Sequence, residues 1–197
     1  MSKVAIVGDP SGTGTFTISA PNGNTDRTLV LPDEAGTVLT SASGIPASQL
    51  TGVPAFSAYM SNGNTNQTIS SDVWTKVNID TKEFDTDNCF NTSTNLFTPT
   101  VAGYYQVTGN IYLRNFSSSA LKIVGIFKNG AIYKQGHMLY FTGNYYIAAD
   151  SFQVSCLVYM NGTTDNIGLY GYISSPSPAF GYSSDTTYLQ AVLVRAD

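Results

Sequence analysis

Residues able to do chemistry are few in this 197-residue chain, which holds one histidine, His137, and two cysteines, Cys89 and Cys156. A zinc site built on imidazoles needs several of them, and a Ser-His-Asp relay needs His137 to meet Asp150 or Asp165 beside a nucleophile. Nothing in the spacing marks either arrangement. The two cysteines form neither a CxxC pair nor a disulfide-dense framework, and no basic cluster adjoins them to lower a thiol pKa. Both are expected to be reduced, buried core fillers.

Two loops imitate ligand motifs and fail on inspection. Val4 to Gly14 reads as an apolar strand and a glycine loop, but no Lys stands in the P-loop position, no third glycine completes GxGxxG, and Thr15 to Ile18 favour a strand where a phosphate-cradling helix must start. Asp85-Thr86-Asp87 places carboxylates at alternating positions, as calcium loops do, yet Cys89 and Asn91 break the pattern and Leu96 replaces the bidentate Glu. An ordinary glycine turn and a polar turn between strands are expected instead. Glycoside hydrolysis needs a marked pair of carboxylates. The acidic residues of the C-terminal part lie in turns, and no two are paired by pattern. No catalytic residue, metal or cofactor is therefore expected.

Binding is another matter. The segment Met138 to Tyr146 sets Tyr140, Phe141, Tyr145 and Tyr146 beside Thr142, Gly143 and Asn144. Exposed rings among adaptable polar groups recognise sugars or peptides at low entropic cost. Tyr140, Phe141, Asn144, Tyr145 and Tyr146 are thus candidate receptor contacts; the alternative is that these rings line an interface between copies of the chain. A second candidate loop, Ser174 to Thr187, offers Phe180 and Tyr182.

Composition narrows the class further. Charged residues make up 11% of the chain, against about 25% in an ordinary soluble domain. Hydrophobic residues reach 42%, with 13 Tyr and 10 Phe, too apolar for a disordered chain. A net charge of -4 with nine scattered basic residues argues against a grip on phosphate backbones, so no nucleic-acid partner is expected. Met1 to Val7 is too short and weakly charged for a signal peptide, and no apolar run approaches a membrane span. The expectation is synthesis in a cytoplasm without membrane insertion.

Residues 1–53 are rich in Gly, Thr, Ser, Asn and Pro, with short β-like runs at Thr15–Ser19, Thr28–Leu31 and Gly36–Thr40 between turn signals. Such strands bury too little alone, which points to an extended stalk or docking segment stabilised by three copies around one axis. Gly44 to Gly52 reads as a connector. Residues 54–197 form a second unit with period-two alternation. Val73, Thr75, Val77 and Ile79 oppose Trp74, Lys76 and Asn78; Tyr105, Val107, Gly109, Ile111 and Leu113 oppose Tyr104, Gln106, Thr108, Asn110 and Tyr112. Asn129-Gly130 between Leu121–Phe127 and Ala131–Tyr133 signals a tight hairpin. With Phe152–Met160, Asn166–Ile173 and Tyr188–Val194, at least seven strands are expected and no helix, hence an all-β sandwich or jelly roll.

Several blocks carry a resemblance. Val73-Trp74-Thr75-Lys76-Val77, Phe84-Asp85-Thr86, Phe97-Thr98-Pro99, Ala102-Gly103-Tyr104-Tyr105 and Asn129-Gly130 stand in the order and spacing of the globular head of complement subcomponent q, a tumour-necrosis-factor-like jelly roll with phage and bacterial relatives. Residues 54–197 resemble that family, departing from it at Tyr188-Leu189-Gln190-Ala191, where the family carries Phe-Ser-Gly. The runs Gly14–Pro21, Arg27–Asp33 and Ala35–Thr40 are similar to segments before the tips of phage fibre and tail proteins. Together the resemblances imply a homotrimeric, non-enzymatic protein of the virion surface. Its N-terminal segment would dock on a phage tail or capsid protein, and its head would bind a host surface polysaccharide or protein. The alternative is a head-fibre protein that decorates and cements the capsid. Purified chain is expected to give a β-sheet circular dichroism spectrum and to sediment as a trimer; substantial helix or a stable monomer would contradict the reading.

Overall fold

The longest alternating run becomes the structure's spine. Strand β7 (Ala102–Arg114) turns Tyr105, Val107, Ile111 and Leu113 into the interior, all fully buried, and leaves Tyr104 outside, because successive side chains of a strand point to opposite faces. At Gly109 the missing side chain makes room for Leu169, whose methyl lies 2.6 Å from where a Cβ would stand. The computed structural model describes residues 10–15, 17, 22–26, 28, 53–114, 120–140 and 149–197.

Two compact units divide the chain, Met1–Gly44 and Ile45–Asp197. In the first, Pro10 and Ser11 form a turn and Asn22–Thr25 a bend, all exposed. The three short runs expected as stalk strands fall outside the described residues apart from Thr15, Thr17 and Thr28, as does the connector up to Gly52.

The second unit is a two-sheet antiparallel sandwich. Besides β7 its strands are β1 (Ala55–Met60), β2 (Gln67–Thr68), β3 (Thr75–Lys76), β4 (Thr81–Asp85), β5 (Phe90–Asn91), β6 (Leu96–Phe97), β8 (Leu121–Lys128), β9 (Ala131–Tyr140), β10 (Ala149–Asn161), β11 (Ile167–Ile173), β12 (Ala179–Phe180) and β13 (Ser183–Ala196). The larger sheet runs β2-β12-β7-β13-β1-β4, with β10 on the other side of β7; the smaller runs β5-β6-β11-β8-β9, with β3 also on β11. Among the described residues the only helical element is a three-residue 3₁₀ turn, Asn62–Asn64. No helix there is long and apolar enough to cross a membrane.

Aromatic rings join the sheets. Phe56 of β1 lies between Phe90 of β5 and Phe97 of β6, with ring centroids 4.8 and 4.6 Å away, and Phe97 meets Tyr105 edge-on at 5.5 Å. Such pairs add to the area they bury. The Tyr105 hydroxyl donates to the Val101 carbonyl at 2.8 Å, which satisfies the polar end of a buried ring.

The alternating runs at β7, β8, β10, β11 and β13 match the expected strands, and the Asn129-Gly130 hairpin forms with φ of 52° and 79°, the positive values a type I′ turn requires. The expected strand from Val73 to Ile79 shrinks to Thr75–Lys76. On its outer edge the Gln67 amide donates to the Lys76 carbonyl and accepts from the Asn78 N–H, both at 2.9 Å, filling the place of a neighbouring strand. Val73 is consequently exposed, and Trp74 covers Gly125 on the outer face of the smaller sheet against Phe127 and Tyr172.

The unit has two unlike poles. At one, the chain enters β1, Leu193 N–H bonds the Pro54 carbonyl, Asp197 N–H bonds the Ala102 carbonyl, and the Asn129-Gly130 turn sits against Asn166. The turn at Asn62–Asn64, the Ser174–Tyr182 connection and the ends of β7 and β9 lie at the other.

Strand β9 is an edge of its sheet and leans on β10, the edge of the other. Gly136 makes the contact possible: a Cβ there would stand 2.3 Å from the Gln153 carbonyl oxygen and 2.6 Å from Val154 Cα. Backbone cannot yield as a side-chain tip can. Gly136→Ala should cost about 2 kcal/mol or more, read as a fall in Tm of roughly 4–8 °C; an unchanged Tm would mean the two edges are not in contact.

Candidate functional site

Three carboxylates of the described head are committed to turns. Asp85 accepts the N–H groups of Cys89 and Phe90 and pairs with Lys82 at 2.8 Å; the turn that resembles a calcium loop is held by this one side chain. Asp165 takes Lys128 at 2.8 Å and the Asn129 amide at 2.7 Å, closing the entry pole. Asp80 spends one oxygen on the Ser61 N–H and the other on the Asn62 N–H. Among the described residues no group of three or more His, Cys, Asp or Glu is placed to hold a metal ion. His137 is exposed with its ring stacked on Phe152 at 4.5 Å.

Both cysteines are free thiols. Cys89 is buried as expected, whereas Cys156 is only half-buried, a correction that follows from its place on an edge strand. Burial pushes both thiols up from their ordinary value, which disfavours the nucleophilic thiolate.

What the head does present is an apolar face. On the outer side of the larger sheet, Tyr104 of β7 meets Tyr159 of β10 edge-on at 5.4 Å. Leu157, Val192, Val194 and Phe84 stand out beside them, with Leu157 55% and Val194 60% exposed. A groove of about 380 Å³ runs between Ala55, Phe84, Gln106, Thr108, Gln190 and Val192. The β-bulge between Ser57 and Ala58, where β1 pairs with β4, brings Glu83 next to Phe84, and the Ser57 hydroxyl donates to Glu83 at 2.6 Å. A second patch follows edge strand β9, where Ile132, Tyr133, Met138 and Tyr140 are exposed. This long edge carries a single full charge, Lys134, and an edge of this length invites pairing unless it is covered.

The residues singled out from sequence fare unevenly. Tyr140, 62% exposed, ends β9; Phe141, Asn144, Tyr145 and Tyr146 lie outside the described residues. Tyr182 is 39% exposed. Phe180 is a correction: it is fully buried, because pairing of β12 with β7 and β2 directs its ring into the sandwich, over Gly171. Tyr182 instead lines a polar pocket of about 340 Å³ at the pole opposite the chain entry, with Tyr59, Ser61, Asn64, Ser183 and Ser184. The Asn62-Gly63-Asn64 turn signal after Tyr59 could have pointed to it.

No protein-family model and no curated protein matches the chain. Solved structures do. Murine APRIL at pH 5.0 aligns with a TM-score of 0.52 at 11% identity, covering 72% of this chain and 99% of that one. For the globular domain of zebrafish complement 1qA protein the figures are 0.50, 12%, 74% and 99%. For Eiger TNF from S. frugiperda they are 0.54, 10%, 74% and 94%. The head is a complement-1q/TNF-like jelly roll. At such identities the likeness establishes fold, and it is the jelly-roll fold that the residue blocks led one to expect.

The Asp85 anchor has a pH signature. Burial alone would raise its carboxyl, but the Lys82 hydrogen bond and the Phe90 and Cys89 N–H groups outweigh it and hold the pKa below the ordinary 3.8. A depressed folded-state pKa contributes stability above the unfolded value that is lost as pH falls through the folded one. Resistance to denaturant should therefore weaken below about pH 4, and Asp85→Asn should flatten that acid limb; an unaltered limb would place the anchor elsewhere.

Proposed function

We propose that the chain is the receptor-binding tip of a short virion fibre: a homotrimer whose residues 1–53 dock on a phage tail or capsid protein and whose head engages the host surface. The observation that carries this reading is the apolar outer face of the larger sheet. Exposed apolar patches mark contacts, and this one groups the rings of Tyr104, Tyr159 and Phe84 with Leu157, Val192 and Val194, the composition of an interface that is buried once and stays buried. A face on one sheet and a separate apolar edge at β9 suit a head-to-tail contact, which closes into a ring when the rotation allows. The likeness to complement-1q and TNF folds supports three as the number.

The virion setting is supported by the resemblance of the N-terminal runs to fibre and tail segments. A trimer suits adhesion, since three weak sites on one rigid head gain orders of magnitude against a polyvalent surface through effective concentration. The low charge and committed carboxylates of the described head favour binding over catalysis.

Sedimentation equilibrium tests the assembly. Wild-type chain should run as a trimer, and Phe84→Asp with Val192→Asp should run as a monomer with an unchanged β-sheet spectrum, since each buried unpaired carboxylate costs about 3 kcal/mol or more. A wild-type monomer would overturn the reading. Purified trimer should also adhere to host cells; if it adheres to none while particle imaging places the protein on capsid vertices, shell decoration is its role instead.

A further inference from the structure

The pocket lined by Tyr59, Tyr182, Asn64, Ser61, Ser183 and Ser184 has an identifiable structural origin. Strands β1 and β13 pair in register from Ala55↔Val192 to Tyr59↔Tyr188, but the next residue, Met60, pairs with Ser183. Residues 184–187 therefore loop out opposite a single step of β1, and the sheet opens where a ladder would otherwise continue. The opening measures about 340 Å³, near the lower end of the roughly 300–1,000 Å³ of small-ligand pockets.

Both walls are fixed without a ligand. On one side, Asn62, Gly63 and Asn64 all have positive φ (43°, 59° and 62°), and the turn is pinned by Asp80 through the Ser61 and Asn62 N–H groups and by the Thr65 hydroxyl, which donates to the Asn62 carbonyl at 2.7 Å. On the other, the Ser183 hydroxyl donates to Asp185, and the Thr187 hydroxyl donates to the Gly181 carbonyl at 2.6 Å while accepting the Tyr112 N–H. A preformed site loses little entropy when it is occupied.

Its chemistry is specific. No residue lining it is charged, and both nearby carboxylates, Asp80 and Asp185, already accept hydrogen bonds. An anionic ligand would find no counter-charge there, and a cation would find only carboxylates already engaged by the turns. The Asn64 amide and the Ser184 hydroxyl make no side-chain hydrogen bond among the described residues, so each supplies donors and acceptors, beside an exposed tyrosine face. An extended peptide is poorly served, because strand addition needs a free edge, and Met60 and Ser183 are paired with each other. Mixed donors and acceptors beside an aromatic ring match a ligand that carries both hydroxyls and an apolar C–H face.

We propose that this pocket is a subsite for a single neutral pyranose, with a sugar face on the Tyr182 ring and its hydroxyls on Asn64, Ser61 and Ser184. The proposal deepens the adhesion reading by naming the ligand class, and it rests on that reading for its biological setting.

Saturation-transfer NMR of the full chain with methyl glycosides of glucose, galactose, mannose and N-acetylglucosamine tests it. At least one should receive saturation, and Tyr182→Ala should weaken its binding roughly tenfold and Asn64→Ala several-fold, both at unchanged Tm. Val73→Ala, exposed but outside the pocket, should bind as wild type. No transfer to any of the four at high millimolar concentration overturns the proposal, as do equal binding by the two pocket variants or a preference for sialic or glucuronic acid. Cell adhesion that persists alongside such a failure leaves the adhesion reading standing; sugar binding without adhesion does the reverse.

Discussion

The structure depends first on one ring. Phe56 sits in the larger sheet yet stacks between two phenylalanines of the smaller, so the sheets are clasped at the point where β1 begins. Fixing β1 there sets everything that β1 carries outward. Ala55 and Phe56 form one wall of the apolar groove, and four residues later Tyr59 and the turn after it wall the polar pocket. A shorter side chain at position 56 would leave a cavity among buried rings, and such cavities are among the costlier defects a core can carry.

Legibility in the sequence followed from how much each strand buries. The β7, β10 and β13 runs are long, and their inner and outer residues differ sharply in polarity, so period two was plain. Strand β1 escaped notice because Ala55, Phe56, Ser57, Ala58, Tyr59 and Met60 put apolar side chains on both faces, one toward the core and one toward a surface that is itself apolar. Strands β5 and β6, two residues each, fall below any periodic window, and β4 is polar throughout except Phe84. The site was legible in part. Tyr182 was marked by its ring among small polar residues, but the same reasoning chose Phe180, since composition does not tell which of two rings two positions apart turns inward. Its partners came from the adjacent strand β1, more than 100 residues away in sequence, by a register slip that no local pattern encodes.

Charge is handled unusually. Only two ion pairs join described residues, and each also holds backbone or amide groups of a turn, so ionic groups here act as staples for loops. Hydroxyls and amides take over much of the remaining polar bonding, as at Gln106, which donates to Ser155 at 2.7 Å across β7 and β10. Hydrogen bonds of this neutral kind respond little to ionic strength.

The polarity of the head has a practical corollary. Residue 53 and residue 197 both lie at the pole of the Asn129-Gly130 turn, tied down by Pro54 and Ala102, while Tyr182 and Asn64 occupy the opposite end. A fluorescent reporter or other cargo fused at either terminus of the sandwich would thus sprout from the side facing away from the pocket. The head is, in this sense, a plug with its wiring at one end and its contacts at the other.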